Sequence, residues 1–324
     1  MTPPLYPLRF EPILKRYLWG GRRLHTELAK PLGEGDDYAE SWEVCDRGAD
    51  RSLVAAGPLA GRTLGELVAE RGAELLGRHA PQPRFPLLFK FLDAQKTLSV
   101  QVHPDDHRAA RLSTPDLGKT EAWVILAAEP GSLIYAGLKR GFDRPALERE
   151  LACGVCELCL HCFEPRPGDC VFLPAGVVHA IGAGLLVAEI QQASDTTYRL
   201  FDWNRVGADG KPRDLHLDEA LEAIDYEYGP AGPQWPEPTE RPFVSRLVSC
   251  DKFVLDRWQL DQPQTAGGDE RCHLIAVLSG AALVDGDPEG KPLPAGATVL
   301  LPAALGAVKL TPSANAVLLD AYLP

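Results

Sequence analysis

The chain has 324 residues, 45% of them hydrophobic, and a formal net charge of -12. That length supports two ordinary domains with substantial cores and excludes a small module dependent on disulfide staples. Acidic and basic residues are interspersed without a long basic run, so a nucleic-acid backbone would be repelled over most of the surface, and an anionic substrate must be drawn in by a few local cations. No stretch reaches the roughly 18 apolar residues of a membrane span, and residues 1–10 carry three prolines and no apolar signal core. The expectation is a cytoplasmic protein without membrane or nucleic-acid partners, its eight cysteines reduced.

A capping box, Thr63-x-x-Glu66, opens the first clear helix, predicted over 63–76 from Leu64, Leu67, Val68 and Leu75 at helical spacing. Short alternating apolar runs at 86–92, 98–103 and 122–127 then read as strands. Asp143 ahead of Arg-Pro-Ala marks a second helix start before Leu147 and Leu151, and 217–224 reads as a third helix. Between these two helices lie further strand runs at 170–173 and 185–190. Prolines at 230, 233, 236, 238 and 242 rule out regular structure over 229–242, which predicts a linker between a domain at 1–228 and a smaller one at 243–324. Strand runs at 273–278 and 297–301 complete a mainly β, antiparallel pattern.

A faint repeat accompanies this division. Gly168, Pro174, Gly176 and His179 recur in spacing as Gly296, Pro302, Ala304 and Ala307, each Gly followed by a short strand, then Pro and a tight turn. His179 is thus replaced by Ala307, as expected when a duplicated β unit keeps a ligand in one copy only.

The first copy has the form G-x5-P-x-G-x2-H, which resembles the second signature of the cupins, jelly-roll barrels that hold a metal in the barrel mouth. Ala183 stands where that signature ends in Asn. Upstream, Gln101 and His103 lie two apart on a predicted strand and share a face, while Glu121 opens the strand run that carries Trp123 and Ile125. His103, Glu121 and His179, with Gln101 or water, form a nitrogen and oxygen set suited to zinc with an exchangeable position.

The strings SVQVHPDD (99–106), GKTEAWVIL (118–126), FLPAGVVHAIG (172–182) and QQASDTTYRLFDWNR (191–205) resemble successive hallmarks of the type I mannose-6-phosphate isomerases, in their short bacterial form. RYLWGG (16–21) and AESWEV (39–44) match as well, and the resemblance spans residues 10 to about 225. It implies two cupin jelly-roll barrels, the first elaborated with helices and catalytic, the second without a metal. It implies one zinc ion per chain on Gln101, His103, Glu121 and His179, an essential Arg199, and substrate-binding roles for Lys90, Ser99 and Lys119. It implies interconversion of mannose 6-phosphate and fructose 6-phosphate through a cis-enediol, with Glu189 as the first choice for moving the proton; metal-bound hydroxide and Asp195 are the alternatives. The oligomeric state is left open between monomer and homodimer. Two rivals use the same residues: another cupin metalloenzyme, such as a phosphoglucose isomerase or an iron dioxygenase, and a sugar-binding cupin without activity.

Cys153, Cys156, Cys159 and Cys162 have the spacing of an iron-sulfur or zinc motif. On a helix Cys153 and Cys162 fall on opposite sides, and on a strand Cys159 and Cys162 face opposite ways, so the reading is a passage from helix to strand with structural thiols.

Overall fold

The computed structural model describes residues 3–206 and 210–324. With 39% strand and 14% helix the protein is mainly β, as expected, and no helix among the described residues is long and apolar enough to cross a membrane. It forms two compact units: one of residues 17–21 and 92–234, the other of residues up to 16, 22–91 and 235–324. The break at 234/235 falls inside the proline-rich segment, but the expected division into 1–228 and 243–324 differs at the N-terminus. Leu8 and Leu300 exchange both backbone hydrogen bonds at 2.8 Å, a pairing across the chain that no local change of composition announces.

In the unit built on 92–234, strands Leu185–Gln192, Glu121–Ala128 and Cys170–Leu173 are antiparallel neighbours in that order. A second sheet runs Tyr198–Phe201, Val100–Val102, His179–Ile181, Ile134–Leu138, Leu160–Phe163. Its two faces follow from the period of two. Val100, Val102, Val178, Ala180 and Leu200 pack with Leu147, Ala220 and Leu221 of helices Arg144–Ala152 and Leu217–Ala223, leaving Gln101, His103, His179 and Arg199 to the other face. Full burial of each such Val or Leu contributes about 1.5–3 kcal/mol, so the helices fix the sheet that carries the polar row. The first of these helices is capped as its sequence predicts, Asp143 accepting from the Ala146 amide at 2.9 Å.

The other unit contains helix Leu64–Leu76, whose capping box closes reciprocally: the Glu66 amide donates to Thr63 Oγ1 at 3.1 Å and the Thr63 amide to Glu66 Oε2 at 2.8 Å. It also holds a sheet ordered Glu237–Pro238, Val244–Ser249, Val254–Leu260, Ala316–Tyr322, His273–Ser279, Thr298–Leu301, and a second ordered Gln264–Gly267, Ala307–Pro312, Ala281–Val284, Leu293–Pro294. Trp258, Ile275, Val277, Leu310 and Leu318 share one core.

The strand pairings bear out the repeat. Leu173 lies opposite Glu121, and its counterpart Leu301 lies opposite His273; Glu189 lies opposite Trp123, and Asp320 opposite Ile275. The positions of Glu121 and Glu189 are therefore held by His273 and Asp320 in the other unit. His273 Nδ1 is 2.9 Å from Asp320 Oδ1 and its Nε2 is 3.0 Å from Asp269 Oδ1, which makes an ion pair instead of a ligand set. Burial alone would lower the imidazole pKa, but Asp320 and Asp269 overcome it and push His273 up to about 10. The contribution of this pair is complete below the unfolded imidazole pKa of about 6.5 and is lost as pH rises through about 10. His273→Gln should lower stability by about 3–5 kcal/mol near neutral pH, because it strands a buried carboxylate. In thermal melts the gap between wild type and variant should narrow as pH rises through that window. A constant gap, or an equally stable variant near neutral pH, would contradict this role.

Candidate active site

His103 follows the strand Val100–Val102, Glu121 opens the strand Glu121–Ala128, and His179 opens His179–Ile181. All three are buried, and one ligand atom from each lies within 4.8 Å of the others. Two glycines make the approach possible. Gly176, at φ +91°, turns the chain before His179 and donates its amide to the His103 carbonyl at 2.9 Å. A Cβ on Gly118 would stand 2.6 Å from the Asp106 amide nitrogen, so only glycine lets the segment leading to Glu121 pass the Asp105–Asp106 backbone.

The imidazole orientations identify what the cluster can hold. His179 Nδ1 is 2.8 Å from the Val177 carbonyl and His103 Nδ1 is 3.0 Å from the Thr196 carbonyl. Carbonyl oxygens only accept, so each Nδ1 carries the proton and each Nε2 presents a lone pair. Burial, then Lys119, pushes His103 down to about 3, and burial lowers His179, so both rings are neutral. His179 Nε2 faces Glu121 Oε1 at 3.3 Å, and His103 Nε2 faces Glu121 Oε2 at 3.5 Å. Burial opposes the Glu121 charge, yet the Lys119 ammonium holds its pKa well below the usual carboxylate range. Lys119 Nζ lies 2.6 Å from Oε2 and 3.0 Å from His103 Nε2, whereas Oε1 has no hydrogen-bond donor among the described residues. Acceptors thus face one another within a buried cluster. This is the donor set a divalent cation needs, with ligand types suited to zinc.

The remaining expected residues are distributed as follows. Gln101 lies opposite His179 on one side and Arg199 on the other, so the three form a row across neighbouring strands, with the Gln101 amide 3.3 Å from His179 Nε2. Trp123 meets the His179 ring edge-on at 5.3 Å. Buried Glu189, beside Trp123 in the opposite sheet, has Lys119 Nζ at 3.7 Å. Ser99 is buried in the same unit, next to the strand of Gln101. Lys90 belongs to the other compact unit, where its Nζ is 3.4 Å from Glu40 Oε2. The four cysteines follow the expected passage through helix Arg144–Ala152, a 3-10 turn at Cys156–Cys159 and strand Leu160–Phe163. Cys153 and Cys162 are exposed and Cys156 and Cys159 buried; burial pushes Cys159 up to about 11. Among the described residues the one group arranged for a metal is His103, Glu121 and His179.

Two features escaped the sequence reading. Arg205 and Arg213 both donate to Asp202, and Arg213 with burial lowers the pKa of nearby Arg199, whose Nη1 donates to the Asp214 carbonyl at 2.7 Å. The three guanidinium groups gather around Asp202 and the Asp214 carbonyl; Arg205 stood unassigned in the DWNR string, and Arg213 carried no signal. The second feature is a pair of acidic pins. Asp106 accepts from Gln192 Nε2 at 2.9 Å and the Gly118 amide at 2.8 Å, and Asp116 accepts from the hydroxyls of Ser194 and Thr196, both at 3.1 Å.

Residues 8–121 match the family model described as phosphomannose isomerase type I, catalytic domain. The chain is 35% identical over 312 residues to mannose-6-phosphate isomerase ManA of Bacillus subtilis (strain 168), covering 94% of this chain and 95% of that protein. It is 32% identical over 297 residues to the mannose-6-phosphate isomerase of Streptococcus mutans, covering 91% and 92% respectively. The crystal structure of the Bacillus subtilis mannose 6-phosphate isomerase superposes with a TM-score of 0.89 at 29% identity, covering 98% of this chain and all of that one. The chain belongs to the mannose-6-phosphate isomerase family.

Proposed function

We propose that the protein interconverts mannose 6-phosphate and fructose 6-phosphate, with one zinc ion per chain held by His103, Glu121 and His179 and approached by Gln101. The observation that carries this reading is the facing of two unprotonated imidazole nitrogens and the Glu121 carboxylate in a buried site of a chain from this family. The two compact units then correspond to two cupin-type jelly rolls, the one built on 92–234 catalytic and the other keeping His273 in place of a ligand.

In this mechanism the Glu189 carboxylate takes the C2 proton of the open-chain aldose while the C1 oxygen gains a proton, giving the cis-enediol. Return of a proton to C1, with loss of the proton on the C2 oxygen, gives the ketose. A divalent cation supplies Lewis-acid stabilisation of the charge that develops on the sugar oxygens. Lys119, 2.6 Å from Glu121 and 3.7 Å from Glu189, keeps Glu121 ionised in a buried site and stands beside Glu189. Arg199 adds a fixed guanidinium beside Gln101, where negative charge grows in the transition state. Lys90 and Ser99 remain substrate-binding candidates, joined by Arg205 and Arg213 as cations for the phosphate.

A coupled assay with mannose 6-phosphate should show activity that disappears on chelation and returns with zinc. Activity untouched by exhaustive chelation would contradict the metal reading, and no turnover in either direction would contradict the isomerase reading. For Arg199→Ala we expect turnover to fall by about 10²–10³-fold with a smaller change in the Michaelis constant, the signature of an interaction made chiefly in the transition state. Arg199→Lys should restore little, since it keeps the charge and loses the planar fork. A Michaelis constant that rises while turnover holds would make Arg199 a phosphate clamp instead.

A further inference from the structure

The two imidazoles of the cluster are oriented by different means. His179 Nδ1 donates to Val177, two residues away, so its orientation comes with the turn that carries it. His103 Nδ1 donates to the carbonyl of Thr196, which is remote in sequence and lies in the irregular stretch between strands Leu185–Gln192 and Tyr198–Phe201. No strand ladder fixes that carbonyl. The Ser194 backbone is held by its amide donating to the Gln192 carbonyl at 2.7 Å and by Gln191 Nε2 donating to its carbonyl, whereas the side chains of both residues meet one carboxylate: Asp116 Oδ2 accepts from Ser194 Oγ and Thr196 Oγ1, both at 3.1 Å, and the Thr196 amide donates to Ser194 Oγ at 3.3 Å. Asp116 is itself held, its amide donating to the Ala109 carbonyl at 3.1 Å and its Oδ1 accepting from the Leu117 amide at 2.9 Å. Ser194 is fully buried, so water is a poor substitute for the lost acceptor.

From this chain of hydrogen bonds we infer that Asp116 is a positioning residue for the metal centre: by pinning Ser194 and Thr196 it places the carbonyl that keeps His103 Nε2 unprotonated and aimed at the cluster. The inference rests on the proposed metal reading. A ligand oriented by an outer carbonyl typically loses about 10–100-fold in metal affinity when that support goes. The separation of the roles is sharp. The hydrogen bonds described for Asp116 run to Ala109, Leu117, Ser194 and Thr196, none of them a proposed ligand, so its effect should appear in metal retention before it appears in turnover.

The experiment is competition for zinc between the holoprotein and a chelator, followed by elemental analysis, for wild type, Asp116→Ala, Asp116→Asn and Thr196→Val. Asp116→Ala should release zinc at about 10–100-fold lower chelator than wild type. Asp116→Asn should stay close to wild type, because the serine and threonine hydroxyls can accept from an amide as readily as they donate to a carboxylate. Thr196→Val removes one of the two pinned hydroxyls without touching Asp116, and should shift retention in the same direction as Asp116→Ala. It also keeps the test alive if the alanine variant folds poorly. Combining Thr196→Val with Asp116→Ala should add little to the alanine variant alone. Unchanged zinc retention in Asp116→Ala and Thr196→Val, with wild type binding zinc normally, overturns this inference and leaves the metal reading intact. A wild type that binds no zinc-class ion overturns both.

Discussion

Glu121 is enclosed with two neutral imidazoles, and the atoms they present to each other are all acceptors. Leaving one such buried acceptor without a donor costs about 1–3 kcal/mol, and more when it carries charge. Lys119 answers one carboxylate oxygen and leaves the other facing His179. The protein maintains this arrangement from both sides, with glycines that let backbones pass and carbonyls that dictate the tautomers. A site that would be destabilising as a structural feature is intelligible as one completed by a cation.

The β architecture supplies the precision. Antiparallel neighbours put directly opposed residues on one face, so Arg199, Gln101 and His179 form a row on one sheet, while Glu121 and Glu189 stand on the other. Alternation sends the residues between them outward, where Val100, Val102 and Leu200 anchor the sheet to its helices. The same register in the other unit carries His273 and Asp320 at the equivalent places, and there they form an ion pair. At these equivalent register positions one unit carries a carboxylate facing two imidazoles and the other a buried imidazole-carboxylate pair.

Much of this was legible in the sequence, for identifiable reasons. The period of two in 98–103 put Gln101 and His103 on one face, the Gly-Pro-Gly spacing announced the turn before His179, and Thr63-x-x-Glu66 announced a helix whose box closes as expected. What could not be read was pairing between distant residues. Leu8 against Leu300 reassigns the N-terminal segment to the unit of the C-terminal residues, Lys90 falls in that same unit, and Asp202 collects Arg205 and Arg213 from flanking loops. The cysteine quartet shows the complementary case, since its spacing suggested a metal motif while the chain path through a helix, a turn and a strand keeps two thiols out and two in.

Under the proposed function the resident cation sits among His103, Glu121 and His179. Anomalous diffraction from crystals of the holoprotein, recorded on both sides of the zinc absorption edge, tests it most directly. A single strong peak per chain, within bonding distance of both Nε2 atoms and a Glu121 oxygen, is the expected result. A peak among the thiols at Cys153 to Cys162, or no peak in crystals of fully active protein, would contradict it.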